Sequence, residues 1–312
     1  MEKQIKIGIC GTGHVGAHCA YTLMMQGVAD TIVLVDTDAD KLLSEQQDLS
    51  DAAGYMPHRT HIEYGKYADL KDCDILVMSV GTIFEGERNR LEELHESKRM
   101  IDECLPPILE SGFNGIIINI TNPCDVITHY IYEKSGFDAN RVLGTGTLLD
   151  TMRLKAVLSR ETNMDHKSIQ AFVLGEHGES QMVPWSCVTI NGIALREMER
   201  RHSERFALDY DEILEESKTA GWRVIQGKGA TEYAIAASLS YLVKCIIHDE
   251  KQLLPVSANV EGQYGLDDIH ISVPCIVGKD GVEEIIIMPL VEQELGALYE
   301  SANVITENFE KL

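Results

Sequence analysis

A short apolar run, Ile5–Cys10, leads straight into Gly11-Thr12-Gly13-His14-Val15-Gly16 and a predicted helix. That junction constrains the fold more than any other feature of the chain. Glycines at this spacing permit a tight turn, let the backbone approach a pyrophosphate, and let the helix pack close to the strand. The helix N-terminus then offers unpaired N–H groups and a partial positive charge to a phosphate. Asp36 closes the second apolar run, 20 residues after Gly16, where a carboxylate can bind both hydroxyls of an adenosine ribose. The same charge would repel a 2′-phosphate, so NAD is favoured over NADP. The expected cofactor contacts are Gly11, Gly13, Val15, Gly16 and Asp36, with Gly81 and Asn122 following later strands.

The first half alternates apolar runs with helix-like stretches. Strands are expected at Ile5–Cys10, Thr31–Asp36, His61–Tyr64, Ile75–Val80, Gly115–Ile120 and Arg141–Leu143. Continuous apolar runs imply strands buried on both faces, hence a parallel sheet covered by helices. The segment Arg90–Ser111 reads as a helix broken at Pro106–Pro107. This is the doubly wound α/β pattern of a Rossmann domain, assigned to residues 1–143.

From residue 144 to residue 312 the pattern suits an α+β substrate domain. A helix at Leu148–Glu161 precedes strands near Ile169–Leu174 and Cys187–Ile190. Helices at Asp209–Ile225 and Thr231–His248 precede an antiparallel pair, Ile269–Val277 and Glu283–Ile287, and a final helix, Val291–Leu312.

Charge narrows the partners. A formal net charge of −23 argues against nucleic acid and anionic membrane, because both would repel it. The chain has no run of 18 apolar residues and its N-terminus lacks a signal-peptide layout, so a cytoplasmic protein is expected. Eight cysteines spread singly read as reduced thiols without a disulfide framework. His14 and His18 stand one helical turn apart, but without a third ligand no metal site is expected.

Two further stretches carry chemistry, Gly144–Arg153 (GTGTLLDTMR) and Val173–Ser186 (VLGEHGESQMVPWS). They supply Asp150, Arg153 and His177. An imidazole can move a proton to or from a substrate oxygen, a carboxylate can orient it, and a guanidinium can grip a carboxylate by two parallel hydrogen bonds. Each residue alone has an ordinary structural alternative, such as a surface Asp–Arg pair; the set points to hydride transfer on a small 2-oxo acid. Asn122 ends the fifth strand at the carboxyl edge of the sheet, where ligands of open α/β folds bind. Residues 81–91 read as a polar lid.

In these stretches the chain closely resembles the lactate/malate dehydrogenase superfamily, in its L-lactate and L-2-hydroxyisocaproate branch, over essentially its whole length. The resemblance rests on GICGTGHVGAHCA, ITNPCDVIT, VLGTGTLLDTMR, LGEHGESQMVPWS and GKGATEYAIA. It implies a Rossmann NAD domain followed by a substrate domain, and a homodimer or homotetramer. It implies that His177 exchanges the proton, Asp150 orients it, Arg153 binds the substrate carboxylate, Asn122 contacts substrate or cofactor, and Thr231 borders the pocket. Arg90 best matches the lid arginine, with Arg88 as its competitor.

Departures from the family pattern shape the expected substrate. Phe84 stands where typical lactate enzymes have Gln and malate enzymes have Arg. A second substrate carboxylate would then be unpaired, which disfavours malate. Phe84 beside the small Gly229 and Ala230 suits a bulky apolar acid such as 2-ketoisocaproate or phenylpyruvate, with pyruvate as the alternative. Lys155 and Gln170 replace the Arg and His of enzymes that respond to fructose 1,6-bisphosphate, so that activation is not expected. A non-catalytic NAD-binding protein is the reading from another class.

Overall fold

The apolar runs pair side by side because each is too apolar to leave either face in water. A computed structural model describes residues 4–81 and 90–312, Arg90 by its backbone alone. Strands β1 (Lys6–Cys10), β2 (Thr31–Val35), β3 (His61–Tyr64), β4 (Ile75–Met78), β5 (Ile116–Asn119) and β6 (Val142–Gly144) form a parallel sheet ordered β6-β5-β4-β1-β2-β3. Ile9, Leu34, Val77 and Ile118 are wholly shielded from solvent. Helices α1 (His14–Gln26), α2 (Ala39–Ala53), α3 (Arg90–Glu110) and α4 (Cys124–Ser135) make the connections. The strand order reverses between β1 and β4, so the loops following those two strands border a crevice at the carboxyl edge.

The expected break in α3 does not occur. The helix runs through Pro106 and Pro107 to Glu110. The prolines remove only their own N–H bonds, close to the helix end, while Ile101, Cys104, Leu105 and Ile108 anchor this stretch in the core.

The second half extends the same sheet. Helix α5 (Leu148–Thr162) follows β6 directly. The short strands β7 (Ile169–Gln170), β8 (Thr189–Ile190) and β9 (Ile193–Ala194) form a separate small sheet. Helices α6 (Leu195–Arg201), α7 (Ser203–Phe206), α8 (Tyr210–Lys228) and α9 (Tyr233–Ile247) follow. Strands β10 (Gln252–Glu261), β11 (Asp267–Gly278) and β12 (Gly281–Ile285) then add antiparallel to β6, and α10 (Glu292–Phe309) ends the chain's secondary structure.

Strand β10 was not expected from sequence, because Pro255 interrupts its pattern. Pro255 sits opposite Pro274 in the ladder, so neither residue has an N–H to place there. The strands expected at Ile169–Leu174 and Cys187–Ile190 shrink to two residues each. In the first case Val173 uses its backbone groups elsewhere, donating to Thr151 of α5 and accepting from Thr147, which immediately precedes that helix. Among the described residues no helix is long and apolar enough to cross a membrane.

Where α4, β11 and α10 meet, two histidines are buried in contact. Their Nδ1 atoms, in His129 and His270, lie 3.0 Å apart, and His270 Nε2 is 3.2 Å from the Val142 carbonyl. A carbonyl can only accept, so His270 donates from Nε2 and its Nδ1 accepts from His129. Burial and the neighbouring imidazole push the His270 pKa down to about 3. Burial also lowers His129, against the pull of Asp268 and Glu133. A depressed histidine pKa means the unfolded chain binds more protons, so stability is lost as pH falls below about 6.5. From pH 7 to pH 5 the His270 contribution is roughly 2 kcal/mol. Urea unfolding should therefore show the wild type losing about that much more stability over this interval than His270→Gln; equal losses would refute the assignment.

Candidate functional site

Asp150 lies in the first turn of α5, almost wholly buried, and its two oxygens face two partners. Oδ2 is 2.5 Å from His177 Nδ1, and Oδ1 accepts from Arg153 Nη1 at 3.0 Å. Burial alone would push the Asp150 carboxyl up; the His177 and Arg153 charges outweigh it and hold it below the usual carboxylate range. In turn the Asp150 charge raises the His177 pKa above its ordinary value, against the effect of burial. The imidazole keeps 26% of its surface exposed. With Nδ1 engaged by Asp150, the ring presents Nε2 to the cleft.

The sequence builds this pair by stapling two segments together. The Thr147 hydroxyl donates to the Val173 carbonyl at 2.5 Å, and the Val173 N–H donates to Thr151 Oγ1 at 2.9 Å. Those two bonds fix the first turn of α5 against the strand-like segment that ends at His177. Further along, Gly175 and Ser272 of β11 exchange backbone bonds of 2.9 and 3.1 Å. Gly175 has φ +92°, and a Cβ there would lie 2.5 Å from Ser301 Oγ, so close approach to α10 requires glycine. The Glu176 N–H donates to that same hydroxyl at 2.7 Å.

The cofactor loop is equally specific about where side chains are absent. Gly11 has φ +95°, and a Cβ there would lie 2.4 Å from the Ser79 carbonyl oxygen; a Cβ on Gly16 would lie 2.0 Å from the Gly11 carbonyl oxygen. At Gly13 a Cβ would meet nothing within 4 Å, because this residue faces the open cleft. Gly13 also begins α1 without a side-chain cap, leaving that helix's first N–H groups directed at the same space. Asp36 accepts from the Thr12 N–H at 2.6 Å, the Thr12 hydroxyl at 2.9 Å and the Asp38 N–H at 3.0 Å. Burial opposes its ionisation, but these donors hold its carboxyl below the usual range. An anionic dinucleotide fits this cradle of bare backbone, helix N-terminus and ionised acid.

One cleft joins most of the expected residues. Gly13, Val15 and Gly81 line it at the cofactor end, and Asn122, Asp150, Arg153, His177 and Thr231 at the other. Gly11 and Gly16 shape the loop from behind. Asn122 is held by its carbonyl, which accepts from Ser97 of α3 at 2.6 Å. The turn beneath it is organised by the Asn119 amide, which donates to Thr121 and Cys124 carbonyls at 3.1 Å. Arg90 is the first residue of α3, whereas Phe84 and Arg88 lie outside the described residues. Among the described residues no group of three or more His, Cys, Asp or Glu could hold a metal ion.

Several site residues were not singled out from sequence. Trp222 and Gly221 of α8 wall the cleft opposite Arg153, and a Cβ on Gly221 would lie 3.2 Å from the guanidinium. Trp222 Nε1 donates to Glu179 at 3.4 Å. Asp125, fully buried, accepts the His177 N–H at 2.7 Å. Its signal was present in ITNPCDVIT, as the one charge in a helical turn whose other members are buried apolar or hydroxyl residues.

Comparison with known proteins agrees with this geometry. Residues 5–144 match the lactate/malate dehydrogenase NAD binding domain, and residues 147–312 match the lactate/malate dehydrogenase alpha/beta C-terminal domain. The chain is 43% identical over 296 residues to an L-lactate dehydrogenase of Fusobacterium nucleatum subsp. nucleatum, covering 94% of this chain and 92% of that protein. It is 38% identical over 303 residues to L-lactate dehydrogenase 3 of Bacillus thuringiensis subsp. konkukian, covering 97% and 96%. The crystal structure of a minor L-lactate dehydrogenase from Enterococcus mundtii, in ligands-bound form, superposes with a TM-score of 0.94 at 31% identity, covering 99% of this chain and 98% of that one.

The dyad makes a direct prediction. Asp150→Asn removes the charge that raises the His177 pKa, so the imidazole should titrate about 1–3 units lower. Histidine NMR titration of the two proteins, with His177→Asn to assign the resonance, would show this; coincident His177 titrations would refute the coupling.

Proposed function

The chain belongs to the lactate/malate dehydrogenase family, as an NAD-dependent oxidoreductase acting on the CH–OH group of a 2-hydroxy acid, and we propose that it interconverts pyruvate and L-lactate. The observation that carries the reading is the buried contact of Asp150 with both His177 and Arg153. A bound nicotinamide supplies the hydride in reduction and receives it in oxidation. The chain's own residues do the rest. His177, kept protonated by Asp150, gives its Nε2 proton to the substrate oxygen during reduction and takes it back during oxidation. Arg153 turns the nitrogens not engaged by Asp150 toward the substrate carboxylate.

The remaining roles follow from position in the cleft. Gly13 and the first turn of α1 would hold the pyrophosphate, Asp36 the adenosine ribose, and Val15, Gly81 and Asn122 the rest of the cofactor. Thr231 borders the substrate side chain. Arg90 is assigned to the developing alkoxide, where a positive charge acts most strongly in the transition state. Apart from Arg90, the division of labour falls between residues 1–143 for the cofactor and 144–312 for the substrate. A homodimer or homotetramer in the cytoplasm belongs to the same reading.

Pyruvate is preferred here to the bulky acid expected from Phe84, because the near full-length relatives bear the name L-lactate dehydrogenase. NADH oxidation at 340 nm with pyruvate, 2-ketoisocaproate, phenylpyruvate and oxaloacetate compares kcat/KM, where discrimination resides. Pyruvate should have the highest ratio; a higher one for ketoisocaproate or phenylpyruvate would restore the apolar pocket. His177→Asn should lower kcat by about 10²–10⁴-fold with NADH binding retained. A wild type as inert as that variant would favour a non-catalytic NAD-binding protein.

A further inference from the structure

The turn that carries His177 is folded around a side chain of its own. Glu176 is 8% exposed, and its Oε2 accepts from the Ser180 hydroxyl at 2.6 Å and the Ser180 N–H at 3.2 Å. Its carbonyl accepts the Gly178 N–H at 2.9 Å. Residues 176–180 therefore form a tight loop closed by the Glu176 carboxylate, with His177 on its arc. Ser301 of α10 joins this loop from the C-terminal helix. Wholly shielded from solvent, its Oγ accepts the Glu176 N–H at 2.7 Å and lies 3.0 Å from Ser180 Oγ.

Counting protons orders these contacts. Each serine hydroxyl has one proton to give, and a carboxylate only accepts. The Ser180 proton goes to Glu176, so the contact between the two hydroxyls needs the proton of Ser301. The bonds then close a circuit, from the Glu176 N–H to Ser301 Oγ, from the Ser301 hydroxyl to Ser180 Oγ, and from the Ser180 hydroxyl back to the Glu176 carboxylate. A serine within a helix commonly directs its proton to the carbonyl one turn back; here it points sideways into the loop. We propose that Ser301 is a positioning residue for His177, the link through which α10 fixes the imidazole-bearing loop as one closed unit. The inference rests on the reading of His177 as the proton donor.

The placement of Ser301 suits that task. A Cβ on Gly175 would lie 3.0 Å from Ser301 Cβ, so the serine is seated directly against the chain that leads to His177. Glu294, two turns earlier on the same face of α10, accepts from the Ser186 N–H at 2.8 Å and from the Ser186 hydroxyl at 2.5 Å. The helix thus grips this stretch before and after residues 181–185. Hydroxyls bonded in sequence polarise one another, and a carboxylate buried this far needs such donors. Asp150 fixes one nitrogen of the imidazole; the circuit fixes the main chain from which the imidazole hangs. Both matter, because a misplacement of about 1 Å lowers a rate by roughly 10²-fold.

Ser301→Ala opens the circuit at two bonds. Its kcat for 2-oxo acid reduction should fall about 10- to 100-fold, while NADH affinity, read by fluorescence titration, stays unchanged. Ser180→Ala opens the same circuit, so the double variant should lose less than the product of the two single losses. A wild-type kcat in Ser301→Ala, a loss shared equally by kcat and NADH affinity, or single losses that multiply would each overturn the proposal. If Ser301→Ala does not fold, a wild-type kcat in Ser180→Ala does so. Hydrogen exchange, followed by mass spectrometry on the peptide carrying residues 175–181, needs no turnover and should quicken in either variant. A wild type that turns over no 2-oxo acid would sink the dehydrogenase reading; exchange unchanged in both variants would still overturn the role of Ser301.

Discussion

The contact between Asp150 and His177 is the interaction on which the site depends. Removing a carboxylate from water costs several kcal/mol, and the attraction to a partner offsets this only when geometry is good and the remaining oxygens are bonded. Both conditions hold: one oxygen of Asp150 meets His177 and the other meets Arg153. Breaking such a pair from one side costs about 3–5 kcal/mol, because the survivor stays buried and unpaired. The same arrangement aligns two functions. A guanidinium that helps to neutralise Asp150 is also directed at the cleft, beside the ring that exchanges the proton.

Such a pair is only as good as the scaffold that holds its halves together. Asp150 and His177 are 27 residues apart, and the fold brings them into register beside a continuous sheet that has nine strands among the described residues. Strand β6 is the seam, parallel to β5 on one side and antiparallel to β10 on the other. The chain leaves β6 through Gly144 and Gly146; a Cβ at Gly144 would clash with Thr128 and Cys124 of α4, and one at Gly146 with Ser272 of β11 and the Ser257 backbone of β10. It then enters α5 with Thr147 and Thr151 already bonded to Val173. Few rotatable links separate the sheet from either half of the dyad, and that rigidity sustains a short hydrogen bond in a buried place.

The parts legible in the sequence share a physical character. Strands β1, β2, β4 and β5 were readable because parallel strands covered on both faces are continuously apolar. The glycine loop was readable because backbone approach excludes side chains, and composition records that directly. Asp150, Arg153 and His177 were readable as a set of residue types. What escaped was determined by partners distant in sequence. Strand β10 carries a proline that only its pairing opposite Pro274 makes acceptable. Asp125 resembles an ordinary first-turn acid until the His177 amide arrives from 52 residues away. The continuity of α3 through two prolines follows from core packing that local propensity does not contain.

The claim that His177 holds the proton exchanged with substrate is tested most directly by pH profiles in both directions. The measurement is kcat/KM against pH for 2-oxo acid reduction and for 2-hydroxy acid oxidation, on the same enzyme. Reduction needs the imidazolium and oxidation needs the neutral ring. Reduction should fail on the alkaline side and oxidation on the acid side, about one shared midpoint that lies above the ordinary histidine pKa. Profiles that fall in the same direction, or turn about unrelated midpoints, would contradict it.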